Sequence, residues 1–428
     1  MRFLHTSDWH LGRTFHGVEL LDDQRRALAE VAAVVSAESV DVVVVAGDVY
    51  DRSVPSADAV AVYDDVLRAI REAGAEIVVT SGNHDSPTRL GVGSSFAEAG
   101  GLHLRTSCSA IDQPVVLSDE HGEIAVYGIP YLEPEAARTH LGVPEARTHQ
   151  DVLTAAMDRV RTHLAAHPRR SVVAAHAFVV GGESTGSERS ISVGGVETVA
   201  AGTFSGVDYV ALGHLHAPQV VAEGIRYSGS VLPYSFGERS HRKAVWIVDL
   251  DARGLAGVRR HDLPIVRDLV ALRGDLTDLL ADEAHAVHEN AYVSAELTDR
   301  ARPVDAMRRL RTRFPNTVHV EWIRPEASTA GDYRSRVRGR TDPEIVRAFL
   351  DDVRSAPSDA ETALVAEALR AVTGEPDAEM SETRRPPIVE PSPEPVAEPV
   401  AEEDGSFALF ALPGTGPAVG SAAREVSA

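Results

Sequence analysis

Five apolar runs in this 428-residue chain end in side chains that bind metal ions. RFLHT (2–6) leads into Ser7-Asp8-Trp9-His10, and DVVVVA (41–46) into Gly47-Asp48. EIVVT (76–80) leads into Ser81-Gly82-Asn83-His84-Asp85, SVVAA (171–175) into His176, and VDYVALG (207–213) into His214-Leu215-His216. A lone histidine after a strand is usually structural, and a lone Gly-Asp is usually turn chemistry. Together, however, the five ends offer two Asp, one Asn and four His, with His84 beside them. Seven nitrogen and oxygen ligands exceed what one ion usually takes from protein and suit two ions sharing a carboxylate. Imidazole and carboxylate without thiolate suit Mn, Fe or Zn better than Mg or Ca. Two divalent cations about 3.5–4 Å apart stabilise the attacking and leaving oxygens of phosphoryl chemistry.

For these residues to meet, the runs must be strands of an α/β domain whose C-terminal ends share a crevice. Residues 1–265 do alternate β-branched runs with helical patterns, and further strands are expected at EIAVYGI (123–129) and AVWIVDL (244–250). Helices are expected over 20–37 and 56–74, the second with Ser56 as N-cap and an end before Gly74. Asp8 and His10 are two apart, as are His214 and His216; in an extended segment that spacing puts both side chains on one side. His5 and His16 do not join the pattern: His5 falls in a strand interior and His16 in a loop, with a substrate-facing His16 as the minor alternative.

Residues 266–326 read as βαβαβ, a small second α/β domain. Residues 343–372 predict one or two amphipathic helices, with Leu364, Ala368, Leu369 and Val372 along the apolar side of the second. From 373 the composition shifts to Pro, Glu, Ala, Gly and Ser, too polar to offset chain ordering, so a disordered acidic tail is expected. Within it, SFALFALPG (406–414) is an apolar island.

The net charge of −22 argues against a simple basic nucleic-acid-binding domain. The average hides a contrast. Residues 300–340 carry eleven Arg and four acidic residues, concentrated in RRLRTR (308–313) and RSRVRGR (334–340). The planar guanidinium fork binds two phosphate oxygens, so this segment suits either phosphate or an acidic partner surface. Arg13, Arg52 and Arg89 stand in loops near the ligands, where they would add phosphate contacts. Cys108 is the one cysteine, which excludes an internal disulfide and fits a reducing compartment. Of the 42 basic residues only Lys243 is a lysine, and no Walker A loop exists, which excludes ATP hydrolysis by that route. No signal peptide is expected, and no apolar run approaches the roughly 18 residues needed to span a bilayer. A soluble cytoplasmic protein with no membrane association is the expectation.

The five strand ends resemble the calcineurin-like metallophosphoesterases. That superfamily's pattern is D-x-H, G-D, G-N-H-[DE], a lone H, then G-H-x-H. Here it stands as Asp8-Trp9-His10, Gly47-Asp48, Gly82-Asn83-His84-Asp85, His176 and Gly213-His214-Leu215-His216. The flanks TSDWHLGRTFHG, AGDVYDRSVPS, TSGNHDSPTRL, IPYL (129–132) and YSGSVLPYSFGE (227–238) are similar to the SbcD-type nuclease subunits. The likeness is dense over 1–250, weaker over 266–372, and absent from the tail. It implies a metallophosphoesterase-type β-sandwich flanked by helices (1–265), a small α/β capping domain (266–335), helices for an ATPase partner (336–372) and the tail (373–428). It also implies ligand roles: Asp8, His10 and His216 on one ion, Asn83, His176 and His214 on the other, Asp48 bridging. His84 would contact the phosphate rather than a metal. Asp85 would orient His84 or, the favoured role, fix the turn.

The metals implied are two Mn2+. The activities implied are double-strand exonuclease and single-strand or hairpin endonuclease action on DNA, in repair, recombination and replication. The partner implied is an SbcC-type coiled-coil ATPase, in keeping with the missing Walker A loop. Related nucleases pair two copies with two ATPase copies, so a homodimer within a heterotetramer is the implied assembly. A phosphomonoesterase or cyclic-nucleotide phosphodiesterase would use the same ligands, but the capping domain, the arginine segment and the flanks argue against it. A noncatalytic scaffold would have lost ligands, and none is lost here.

Overall fold

Val42–Ala46 is buried along its whole length because both of its faces are covered. Val42 and Val44 lie in a core with Phe3, Val78, Val126, Val172, Ala211 and Trp246. Val43 and Val45 face the other way, into a core shared with helices Leu21–Ala37 and Ala57–Glu72. This is the period-2 alternation of a strand with no polar side, which is why the run reads as unbroken valine. Each such buried side chain contributes on the order of 1.5–3 kcal/mol.

The structure is a computed structural model, and it describes residues 1–183, 188, 198–323, 337–353 and 357–373. The tail from 374, with its SFALFALPG segment, and Arg334 and Arg336 of the second arginine run lie outside the described residues.

Two six-stranded sheets pack face to face. The first runs Gly254–Asp262, Ala244–Asp251, Arg2–Thr6, Val42–Ala46, Glu76–Thr80, Leu102–Leu104. Its last four strands are parallel, and the first two form an antiparallel hairpin. The second sheet runs Gln219–Ala222, Ile225–Tyr227, Tyr209–Gly213, Arg170–His176, Gly122–Ile129, Val115–Asp119. Its four middle strands are parallel and its edges antiparallel. Helices Pro134–Leu141 and His149–Ala166 cover its outer face. The result is a helix–sheet–sheet–helix sandwich, the expected α/β class.

The helices follow local rules. Ser56 accepts from the Ala59 N–H and opens Ala57–Glu72, whose buried residues Ala59, Val62, Tyr63, Val66 and Ile70 make one stripe. Leu21–Ala37 lacks a side-chain cap but carries Asp22 and Asp23 in its first turn. Its buried stripe includes a polar residue, Gln24.

After the sandwich, Leu269–Gly274, Tyr292–Leu297 and Thr317–Trp322 form a parallel three-stranded sheet with its own core around Leu276, Val293, Leu310 and Phe314. The first helical run of the βαβαβ pattern, LTDLLADEAHAV (276–287), divides at Asp282 into Leu276–Ala281 and a 3-10 turn, Glu283–His288, because Asp282 is extended and caps the Ala284 N–H. The Tyr292 hydroxyl and Arg267 both bond Asp23 in the first helix, tying this sheet to the sandwich. Two described helices follow, Asp342–Val353 and Asp359–Thr373, the second opened by a reciprocal Ser358–Glu361 pair. Among the described residues no helix is long and apolar enough to cross a membrane.

The sheets touch backbone to backbone at their strand ends. A Cβ on Gly213 would overlap the Ala46 carbonyl of the facing sheet and stand 2.9 Å from Nδ1 of His176. A Cβ on Gly82 would overlap the amide and carboxylate of Asp48. Gly213→Ala should therefore lower the melting temperature. Gly257→Ala, which meets nothing within 4 Å, should leave it unchanged. Wild-type melting in Gly213→Ala would contradict this close packing.

Candidate metal centre

The strand ends continue to bond one another beyond the sheet. Asp8 N–H donates to Gly47 O (3.1 Å), His10 N–H to Asp48 O (3.0 Å) and Leu11 N–H to Val49 O (2.9 Å). The backbone here is not extended. Asp8 (φ 53°), His10 (46°), Asp48 (51°) and His214 (111°) all have positive φ. Such non-glycine conformations cost of order 1–3 kcal/mol each and persist only where surrounding contacts over-determine them. Strand pleating therefore does not set where the Asp8/His10 and His214/His216 side chains lie in these loops. Asp8 and His10 converge through left-handed turns, while His214 and His216 serve opposite ends of the cluster.

Asp48 sits at the middle. Its Oδ2 lies 3.6 Å from His10 Nε2 and 3.4 Å from His176 Nε2, one residue from each sheet. His10 Nε2 is 3.1 Å from His216 Nε2. On the other side, Asn83 Oδ1 lies 3.0 Å from His176 Nε2 and 3.3 Å from His214 Nδ1. Three overlapping groups have ligand atoms within 4.8 Å of one another: Asp8–His10–His216, Asp8–Asp48–His176 and His10–Asp48–His84. All seven residues expected as ligands are thus brought together.

The donor chemistry fits cations. His176 Nδ1–H donates to the Ala46 carbonyl (2.9 Å), which leaves Nε2 as a lone pair facing two more acceptors. Lone pairs of His10 and His216 likewise converge, and among the described residues His10 Nδ1 is buried without a hydrogen bond, 3.8 Å from Asp51 Oδ1. Acceptors crowded this way in a buried site call for positive charge. Without metal, a proton on His176 supplies it. Burial opposes that proton, but the Asp48 carboxylate, joined by Asp8 and the Ala46 carbonyl, outweighs burial and raises His176 to about 9. Burial also works against the Asp48 charge, yet His176, His10 and His84 hold its carboxyl well below the usual range. Burial raises Asp8 to about 6 and lowers His214 to about 3.

His84 lies edge-on to His10, with ring centres 4.6 Å apart. Its Nδ1 bonds the Asp51 carbonyl at 2.8 Å and its backbone N–H donates to Asp48 Oδ1 at 2.9 Å. Asp85 does not bond the His84 ring. Its carboxylate accepts from the Val49, Tyr50 and Gly82 N–H groups (3.1, 2.9 and 2.9 Å), stitching the loop of Asp48 to the loop of Asn83. Burial and the nearby Asp48 push this carboxyl up to about 7.

Several supports were not singled out in the sequence. Gln24 donates to the carbonyls of His10 (2.7 Å) and Trp9 (3.0 Å) from the first helix. The Tyr234 ring stands edge-on to His10 and His216. Glu238 and Lys243 lie behind His216. A polar residue on an apolar helix stripe, and a solitary lysine at the head of a buried strand, were the available signals.

The loop residues divide. Arg13 is 3.6 Å from Asp51 and lies over the Tyr234 ring, beside the centre. Arg89 bonds the Ser53 carbonyl, and Arg52 is largely exposed beside Asp51. His5 is strand interior, held between the Tyr209 hydroxyl and the Leu212 carbonyl, and burial lowers it to about 3. His16 faces His319 across an open pocket beside Arg13.

The His176 proton has a measurable consequence. A metal must displace it, so divalent-metal binding at pH 7 should release about one proton from this group, seen by calorimetry in buffers of different ionisation enthalpy. Affinity should rise about tenfold per pH unit and level off near pH 9, where the metal-free protein loses that proton anyway. Proton-free binding at pH 7 would contradict the arrangement.

Residues 1–218 match the calcineurin-like phosphoesterase family, and residues 266–354 match a family described as type 5 capsule protein repressor C-terminal domain. The chain is 31% identical over 318 residues to the SbcD component of the nuclease SbcCD from Staphylococcus epidermidis, covering 74% of this chain and 84% of that protein. Two solved structures align at 14% identity: TT1561 of Thermus thermophilus (TM-score 0.34) and a dimetal phosphatase from Danio rerio (0.35). Each covers 62% of this chain, with 99% and 98% of the other chain aligned. With the phosphoesterase match spanning half of its length and a nuclease relative aligned over most of it, the chain belongs to the calcineurin-like metallophosphoesterases as an SbcD-type nuclease, a metal-dependent phosphodiester hydrolase.

Proposed function

We propose that this chain cuts DNA with a pair of divalent cations, Mn2+ in particular, as a double-strand exonuclease and a single-strand or hairpin endonuclease. The observation that carries it is the position of Asp48, within 3.6 Å of His10 Nε2 on one side and 3.4 Å of His176 Nε2 on the other. Asp8, His10 and His216 would hold one cation, Asn83, His176 and His214 the other, with Asp48 shared between them. Bound there, the cations supply Lewis-acid charge and lower the pKa of a water.

The chain's own residues do the rest. Once metal displaces the His176 proton, the imidazoles and the ionised Asp48 would present lone pairs in a buried cleft, where charge interactions are stronger than in water. His84 is anchored through Nδ1 to Asp51, so Nε2 is the nitrogen that meets a phosphoryl oxygen or the leaving oxygen. Arg13, braced by Asp51 and the Tyr234 ring, stands next to that position as a further phosphate contact.

Two surfaces support macromolecular partners. Arg302, Arg308, Arg311 and Trp322 line an open groove of about 690 Å³ on the small sheet, suited to a nucleic-acid backbone. Phe349 and Leu364 are exposed on the two C-terminal helices, which suits docking of an SbcC-type ATPase. The chain then divides as nuclease domain 1–265, capping domain 266–335, partner helices 336–372 and tail 373–428. It would work in the cytoplasm as a homodimer within a heterotetramer, in DNA repair, recombination and replication.

Hairpin DNA and p-nitrophenyl phosphate, each with Mn2+, separate a nuclease from a small-ester phosphatase. Cleavage of the hairpin with little nitrophenol release is expected, and the opposite preference would overturn the proposal. His84→Ala should lower DNA cleavage by about 10²–10⁴-fold while metal content stays unchanged. Undiminished cutting would remove His84 from its role.

A further inference from the structure

Lys243 is the only lysine in the chain, and it is buried. Its ammonium meets three acceptors: the His216 carbonyl (2.8 Å), Ser230 Oγ (2.9 Å) and Glu238 Oε2 (2.5 Å). That uses all three of its donors. Glu238 is also fully buried, and its other oxygen lies 3.4 Å from Nδ1 of His216. The opposite nitrogen of the same ring, Nε2, faces His10 and belongs to the Asp8–His10–His216 group. An ammonium, a carboxylate and an imidazole thus line up toward the centre. The ammonium also grips the backbone of the residue whose ring the carboxylate holds.

A buried ion pair is a poor way to stabilise a fold, since an apolar pair of similar volume often does as well or better. Its value here is directional. A carboxylate on Nδ1 selects the Nδ1–H tautomer, points the Nε2 lone pair at the centre and makes it a stronger ligand. His176, in the other group, is oriented by a neutral carbonyl, Ala46 O, while His10 Nδ1, in the same group as His216, makes no hydrogen bond among the described residues and has the Asp51 carboxylate 3.8 Å away.

We infer that Glu238 and Lys243 are positioning residues for His216, setting its tautomer and thereby the hold of the Asp8–His10–His216 group on its cation. This rests on the metal reading above. Neither residue touches substrate. Lys243 acts through Glu238, and Glu238 through His216.

The test uses the full chain, stripped of metal, as wild type, Glu238→Gln, Lys243→Met and the double variant. Each single change strands a buried charge and lowers stability; the double change removes both charges. The double variant should melt near the wild-type temperature. In calorimetric titration with Mn2+, one of its two binding events should be about 10–100-fold weaker and the other unchanged. Independently of any metal, ¹⁵N-histidine NMR of the wild type should show His216, identified by its loss in His216→Asn, as the Nδ1–H tautomer.

Two wild-type Mn2+ affinities in the double variant would overturn the inference, as would an Nε2–H tautomer of His216 in the wild type. A wild type that shows the Nδ1–H tautomer but binds no Mn2+ would instead sink the metal reading and leave the positioning intact.

Discussion

Asp48 is reached from both sheets, and most of the unusual features of the strand ends follow from that. For one short carboxylate to lie within 3.6 Å of His10 and 3.4 Å of His176, the two sheets must meet almost backbone to backbone. Side chains cannot fill that seam, so glycine stands at 213, where a Cβ would overlap the Ala46 carbonyl of the facing sheet, and at 82, where it would strike Asp48 beyond the neighbouring strand of the same sheet. The loops that leave the seam must turn at once, which puts Asp8, His10, Asp48 and His214 into left-handed backbone. The valine-rich cores on either side hold that strain in place.

Around this seam the molecule supplies polar support in layers. Backbone carbonyls orient His176 and His84, and backbone amides from two loops converge on Asp85. Gln24 reaches in from a helix to hold the carbonyls of Trp9 and His10. The Lys243–Glu238 pair closes the back of His216. Each partner satisfies a buried polar group that would otherwise cost about 1–3 kcal/mol. The inner acceptors are the exception, crowded against one another in a manner that only a cation or a proton resolves.

Much of this was legible in the residue order. Unbroken β-branched runs marked the covered strands, and the repeated polar ends marked where they open. Ser56 and the stripe behind it gave the second helix to within two residues. What stayed hidden depends on distance through space. The pleat rule failed at Asp8 and His10 because tertiary contacts impose φ values that local spacing does not announce. Glu238 lies 22 residues beyond the histidine it backs, and Gln24 lies 14 beyond the carbonyl it holds. Asp51 acts through a main-chain oxygen, which every residue possesses, so no residue type could have flagged it. The helix over 276–287 divides because Asp282 caps a new turn in mid-run, a choice that propensity alone leaves open.

If Asp48 joins two cations, anomalous diffraction at the manganese edge, from crystals of the chain grown with Mn2+, should show it without recourse to turnover. Two peaks about 3.5–4 Å apart are expected on either side of the Asp48 carboxylate, one against Asp8, His10 and His216 and one against Asn83, His176 and His214. A single peak at full occupancy, or two peaks with Asp48 bound to neither or only one, would contradict a carboxylate shared between two cations.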